Sequence, residues 1–473
     1  MRRSVFYNTI LQVSQILFPL ITFPYISRVL GPEGFGVANF TTNLSGLFIS
    51  LVSLGVPLYG MREIAKLKGR PDEIRKTTSE LFILHLLYSL LGLLIYSIVV
   101  FNSEKLAVNR DIFLVGGLLI LVNCLSVEWL YQGLERFRYI AIRTIIIRTI
   151  SVVGLFLFVT GKEHVFVYVL ILVLTQAFNG IVNFVYAHRT VGFVTKGLNY
   201  TRHWKNLLLL YGSSLAIAVY VQMDTVMLGF LSTEKDVGLY SATVRISKLP
   251  LALITAISFS FLPRISLYFH QENMEKINRL ANAALQLIVF YSVPVSFGLF
   301  LFADELLLLF SGKMFVEAAL SLKIVSFLTF VIGLSNLFGI QILTAAKKDG
   351  SLLKGVLAGT IVNFFLNLAF IPFWGFNGAT VATAVAEITV TTFTFLMVRK
   401  NLPDVKLNFS SIISSVVSCA PFIAVKLLIA NQEGSFVISA LQVVLCVAVY
   451  FIVQRLFRNP IMSISNLKNM LNE

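Results

Sequence analysis

The sequence predicts an all-α, polytopic membrane protein of about 14 transmembrane helices, arranged as two six-helix lobes and a C-terminal hairpin. Three observations carry this prediction. Of 473 residues, 57% are hydrophobic and only 13% charged, about half the charge of a soluble domain, and mean hydropathy is +0.84. The apolar residues gather in runs of about 17–25, the length that crosses a ~30 Å hydrocarbon core as a helix. Lysine and arginine sort into alternate loops. This composition excludes a soluble enzyme, a disordered chain and a disulfide scaffold.

The apolar runs fall at 5–30, 35–59, 80–101, 112–133, 144–160, 165–187, 207–231, 238–262, 281–302, 318–343, 352–373, 377–398, 410–430 and 435–457. In lipid each segment must satisfy its own backbone groups, so these runs are helices. The ten-residue alternating strands of a membrane barrel are absent. The start, Met1-Arg2-Arg3 followed by an apolar run, imitates a secretory signal. However, the run continues past Leu30, is broken by Gln12 and Gln15, and lacks a small-residue cleavage site; an uncleaved first span is expected. Cys124, Cys419 and Cys446 sit within apolar runs and read as small hydrophobes. The five histidines are scattered and no CxxC or HExxH occurs, so neither a metal site nor a cofactor is expected.

With the N-terminus inside, 27 of the 38 Lys and Arg lie in inner segments and 5 in outer loops (Lys105, Arg110, Lys162, Lys235, Lys313). The other 6 lie within spans. The positive-inside rule then puts both termini in the cytoplasm. The net charge of +15 is a topology signal, and no nucleic-acid partner is expected. Loop lengths after span 1 run short, long, medium, medium, very short, and the same series follows span 7. Phe35-Gly36-Val37 is echoed by Val237-Gly238-Leu239. Six spans is an even number, so the repeats share one orientation. The expected lobes are 1–200 and 201–408, with 409–473 as an appended hairpin and cytoplasmic tail.

Charges inside spans each cost about 2.5–3.5 kcal/mol at mid-helix, so each needs a reason. The cations are Arg28, Arg148, Arg245, Lys248, Lys323 and Lys426; the carboxylates are Glu128, Asp224 and Glu387. Lys426 and Arg148 lie near helix ends, where they can snorkel. Arg245 and Lys248 are three apart on one face, with Lys248 near the midplane. Asp224 lies at the depth of Arg245, which allows either a structural ion pair or a functional site. Glu387, near the middle of its span, either neutralises Lys248 or carries a proton. Polar neutral residues (Gln12, Gln15, Asn179, Asn183, Gln222, Asn363, Asn367) suit a polar ligand and equally suit gluing helices together. Pro19, Pro24, Pro250 and Pro294 permit bends within spans.

Two stretches carry a resemblance. The first is Phe18-Pro19-Leu20-Ile21-Thr22-Phe23-Pro24-Tyr25-Ile26-Ser27-Arg28-Val29-Leu30-Gly31-Pro32-Glu33-Gly34-Phe35-Gly36. The second runs from Asp224-Thr225-Val226-Met227-Leu228-Gly229 to Val237-Gly238-Leu239-Tyr240-Ser241-Ala242. With the six-plus-six-plus-two organisation, they resemble the O-antigen and capsule repeat-unit flippases of the multidrug/oligosaccharidyl-lipid/polysaccharide exporter superfamily. The resemblance spans essentially the whole chain. It implies a bacterial inner-membrane transporter, not an enzyme, with two lobes, alternating access and a polar central cavity. The implied cargo is a polyprenyl-diphosphate-linked oligosaccharide, flipped outward for surface polysaccharide such as lipopolysaccharide or capsule. Membrane lipids and the polysaccharide polymerase machinery are the other implied partners; oligomeric state stays open.

On that reading Arg28, Arg245, Lys248 and Lys323 bind the anionic head group, because guanidinium grips phosphate oxygens bidentately and ammonium acts as a point charge. Asp224, Glu387 and Glu128 are candidates for ion coupling, and Gln12, Gln15, Gln222, Asn363 and Asn367 for sugar contacts. No GxxxxGK[ST] motif is present. Drive must then come from an ion gradient, the membrane potential (about 2.3 kcal/mol per charge per 100 mV) or removal of product. Alternatives are a peptidoglycan-precursor flippase or a drug exporter of the same superfamily. A cationic-drug site calls for carboxylates, whereas cations here exceed them two to one. A membrane glycan polymerase or ligase needs sizeable outward loops, and the longest here is 303–317.

Overall fold

Helix is the outcome the apolar runs dictate, and the computed structural model, which describes residues 2–259, 261–402, 404–405, 409–429, 436–457 and 459–462, is helical almost throughout. No strand occurs among the described residues. Ten helices there are long and apolar enough to cross a membrane. The chain divides into two compact units, 1–238 and 239–473.

The first unit holds α1 (Arg2–Val52), α2 (Val56–Lys66), α3 (Pro71–Asn102), α4 (Glu104–Ala107), α5 (Arg110–Leu125), α6 (Glu128–Gly133), α7 (Phe137–Phe158), α8 (Val165–Thr190) and α9 (Trp204–Leu231), together with the start of α10 (Glu234–Phe259). The rest of α10 belongs to the second unit with α11 (Leu262–His270), α12 (Met274–Leu301), α13 (Ala303–Ser311), α14 (Ala319–Ser326), α15 (Leu328–Asn336), α16 (Asp349–Asn401), α17 (Phe409–Val417), α18 (Pro421–Ile429) and α19 (Phe436–Leu456). A π-helical stretch, Leu337–Leu343, extends α15.

Glycine and proline account for most of the differences from the apolar runs. Runs 5–30 and 35–59 are joined in α1 by a break at Gly31 (φ 69°, ψ 178°) rather than a loop, a conformation essentially reserved for glycine. Pro32 then starts the second half, where its missing N–H costs nothing. Runs 352–373 and 377–398 are joined likewise in α16 at Gly375 (φ 52°, ψ −131°). The run 35–59 ends as a span at Val52, because Leu54 and Gly55 take positive φ and Pro57 opens the amphipathic α2. The run 112–133 is interrupted at Val127 (φ 34°), which separates α5 from α6. The run 410–430 is split before Pro421.

The two echoed segments pack on each other inside the first unit. A methyl on Gly36 would lie 1.7 Å from the Glu234 carbonyl oxygen, and one on Gly238 would lie 1.9 Å from that of Pro32. Each carbonyl belongs to the residue four before the other glycine, so the contact is reciprocal. Backbone meets backbone, and only glycine fits. Gly36→Ala and Gly238→Ala should each cut the yield of monodisperse protein in fluorescence-detected gel filtration. Gly154→Ala, where an added methyl meets open space, should leave it unchanged.

The segment 191–203 that leads to α9 is pinned by a buried carboxylate. Glu80 on α3 is fully buried. It accepts the Asn199 backbone N–H at 2.7 Å, the Arg202 Nε–H at 2.9 Å and His203 Nε2 at 2.8 Å. Arg202 also donates to Thr77 at 2.9 Å, and Tyr59 on α2 lies 2.8 Å from His203 Nδ1. This pattern fits a neutral imidazole protonated on Nε2, with the tyrosine O–H donating to Nδ1. Burial holds His203 below its ordinary value of 6.5. The unfolded segment therefore takes up a proton first, so the anchor is complete above about pH 6.5 and weakens as pH falls below it. Limited proteolysis within 191–203 should accelerate severalfold from pH 7.5 to 5.5, and His203→Gln should abolish that dependence.

Candidate functional site

Several charges read as intramembrane have partners that the sequence did not reveal. Glu128 lies 2.5 Å from Arg143, which the loop count assigns to an inner segment but which the structure buries in α7. Arg143 also reaches Asn183 on α8 and Thr144, and Asn183 in turn donates to the Ser126 carbonyl. Lys323 on α14 pairs with Asp304 at 3.0 Å, and Lys426 on α18 pairs with Glu305 at 3.1 Å. Two adjacent carboxylates in the first turn of α13 thus neutralise two lysines from different helices. Arg148 donates to Ser14 at 3.2 Å. Lys323 therefore already holds a carboxylate, with which any anion would compete.

The remaining candidates divide between the units. In the first, Arg28 is exposed on α1 and Asp224 is buried on α9. In the second, α10 carries Arg245, half-buried, and Lys248, exposed. Among the described residues no ion pair is found for Lys248. Tyr240 on α10 and Thr383 on α16 are hydrogen-bonded at 2.9 Å. Both Arg245 and Glu387 lie about one turn beyond that tether on their own helices, some 6–8 Å along at 1.5 Å per residue.

The neutral candidates behave mostly as packing groups. Asn367 donates to Asn363 at 3.2 Å, and both are fully buried on α16, the i, i+4 pair that their spacing predicts. Gln222 on α9 lies over Gly46 of α1 and reaches Ser50 at 3.4 Å. Asn179 donates back to the Thr175 carbonyl of its own helix. Gln15 is exposed. The Gln12 side chain lies outside the described residues.

An apolar groove of about 460 Å³ runs through the second unit between α10, α12, α13 and the terminal helices α18 and α19. Ile246, Leu249 and Pro250 line it from α10, Pro294 and Gly298 from α12, and Phe422, Val447 and Tyr450 from the last two helices. Arg245 and Lys248 precede Ile246 and Leu249 directly, so the cationic face of α10 lies ~100° round the helix from its groove face. The paired residues Asp304, Glu305 and Arg143 and this groove were all missed in the sequence. The usable signals were an acidic pair opening a helix in an outer loop, and an arginine directly after Ile140-Ala141-Ile142 at the edge of an apolar run.

Residues 1–269, more than half the chain, match the family described as polysaccharide biosynthesis protein. A protein of Escherichia coli (strain K12) named "Putative O-antigen transporter" is 27% identical over 409 residues, covering 85% of this chain and 97% of its own. One of the same name from Shigella dysenteriae is 22% identical, covering 84% and 100%. Among solved structures, the lipid II flippase MurJ in an inward closed conformation superposes with a TM-score of 0.78 at 16% identity, covering 97% of this chain and 100% of that one. At that identity the likeness is one of fold. With its membrane-spanning helices and these transporter relatives along most of its length, the chain is a multi-pass inner-membrane transporter, not an enzyme. The chain belongs to the polysaccharide biosynthesis protein family, and within it is a polysaccharide-related flippase.

If Glu128 serves Arg143 structurally, the two should couple. Removing one member of a charged pair costs about 3–5 kcal/mol when fully buried, and less here because Glu128 is 39% exposed. Arg143→Met should lower the melting temperature of detergent-purified protein. The double variant Glu128→Gln/Arg143→Met should be less destabilised than the two single effects combined.

Proposed function

We propose that this flippase carries polyprenyl-diphosphate-linked oligosaccharide repeat units from the cytoplasmic to the outer leaflet by alternating access. The observation that carries the reading is the apolar groove of about 460 Å³ beside the cationic face of α10. A lipid-linked glycan has two parts that demand opposite environments: a long apolar tail and a doubly anionic diphosphate. The groove suits the tail, since its lining is almost wholly apolar. Arg245 and Lys248, on the same helix, suit the diphosphate. Within the second unit, Lys323 contributes where the anion displaces Asp304. The O-antigen transporters that resemble this chain along most of its length support a surface-glycan cargo.

Asp224 and Glu387 are the carboxylates assigned to ion coupling; Glu128, held by Arg143, is the weakest of the three. A proton bound at Glu387 during one half of the cycle would switch the local charge near Arg245 and Lys248, which changes the affinity for an anion. The direct test is Lys248→Gln. With membrane abundance unchanged, export of surface polysaccharide should fall at least tenfold, and Lys248→Arg should retain most of it. Normal export by Lys248→Gln would remove the anion-binding role.

A further inference from the structure

A second cationic pocket lies in the first unit, apart from the groove just described. Its volume is about 620 Å³, and it sits between α7 and α8. Arg136, Arg138 and Arg143 line its mouth with Tyr139 and Tyr186, while Ile142, Ile146 and Val182 continue it along the helices. From Arg138 to Ile146 the rise is ~12 Å, enough for a head group and the upper part of an acyl chain.

The mouth is built rather than incidental. Tyr139 and Tyr186 stack with centroids 4.2 Å apart. The Arg136 guanidinium lies 5.8 Å over the Tyr186 ring and donates to its hydroxyl at 3.3 Å. Arg143 is 6% exposed and lies 5.6 Å over the Tyr139 ring. Its Nη atoms are taken by Glu128, Asn183 and Thr144, yet its buried Nε has no hydrogen-bond partner. A buried donor left open costs free energy unless something accepts from it. Arg138 is exposed and makes no ion pair among the described residues. Glu135, next in sequence to Arg136, is engaged by Lys68 at 3.2 Å. Of the three guanidinium groups, only that of Arg143 is paired with a carboxylate, Glu128, among the described residues.

The apolar continuation distinguishes this pocket from a site for a soluble anion. Ile142, Ile146 and Val182 are 43%, 54% and 40% exposed, on helices that the composition assigns to the membrane. The arginine-rich end of α7 is the side that the lysine and arginine distribution assigns to the cytoplasm. Basic pockets between spans at that face hold anionic lipid head groups.

We propose that this pocket is a binding site for an anionic phospholipid of the cytoplasmic leaflet. The phosphodiester oxygens accept from Arg136, Arg138 and the Nε–H of Arg143, and an acyl chain lies over Ile142, Ile146 and Val182. The site is independent of the cargo reading above, because it uses neither the groove nor the α10 cations.

The test is native mass spectrometry of the purified full-length protein, titrated separately with phosphatidylglycerol, phosphatidylethanolamine and a polyprenyl diphosphate. The variants are Arg138→Ala, Arg136→Gln and their double, with Arg143 left intact because it also holds Glu128 and Asn183. Phosphatidylglycerol should bind the parent protein in preference to phosphatidylethanolamine. Each substitution should weaken it about fivefold, and the double roughly 25-fold, with phosphatidylethanolamine binding unchanged. Arg138→Lys should keep most of the affinity. Undiminished phosphatidylglycerol binding by the double variant would overturn the proposal. So would equal binding of the two phospholipids, or a loss confined to the polyprenyl diphosphate, which would assign the pocket to cargo.

Discussion

The cost of placing charge in hydrocarbon is the constraint on which the rest of this structure depends. At about 2.5–3.5 kcal/mol for an unpaired ion at mid-helix, a chain with six cations and three carboxylates in its spans must pair them, lead them to an interface or keep them wet. Pairing accounts for Glu128 with Arg143, Lys323 with Asp304 and Lys426 with Glu305. The first two contacts tie helices close in sequence and the third ties α18 to the distant α13, so the same chemistry that makes the charges tolerable also fixes the packing. Lys248 differs. It is exposed, it lies deep along its helix, and it adjoins an apolar groove that suits a lipid tail. That position underlies the role in holding an anionic cargo proposed for Lys248.

Close backbone contact supplies the rigidity. Gly36 and Gly238 bring the start of α10 against α1 with no side chain between them, and the glycine breaks at Gly31 and Gly375 let consecutive spans follow one another without loops. The fully buried Glu80 performs a similar task at the other end of the first unit. It collects the backbone of Asn199 and the side chains of Arg202 and His203, so the segment leading to α9 is fixed rather than slack. An ionised group in such a place is stable because several donors satisfy it.

Much of the fold was legible because lipid simplifies the code: apolar length gives helices. The echo of Phe35-Gly36-Val37 in Val237-Gly238-Leu239 marked the two glycines that the structure packs together. Break positions were less legible, since Leu54 and Val127 are ordinary apolar residues that the structure places at positive φ. Among the site candidates, the Asn363–Asn367 spacing was readable because it is local. The partners of Glu128, Lys323 and Lys426 were not, because pairing across helices depends on rotation about each helix axis, which hydropathy does not encode. Arg143 was hidden for another reason. A single arginine two turns into a helix looks like the end of a loop when only charge and apolar length are counted.

The central claim is that lipid-linked glycans change leaflet through this protein. Its most direct test is the sidedness of polyprenyl-diphosphate oligosaccharides recovered from cells lacking the gene, scored with a membrane-impermeant probe. Finished single repeat units inaccessible to an external probe, together with loss of surface polysaccharide, are the predicted result. Units that reach the outer leaflet but remain unpolymerised would contradict it.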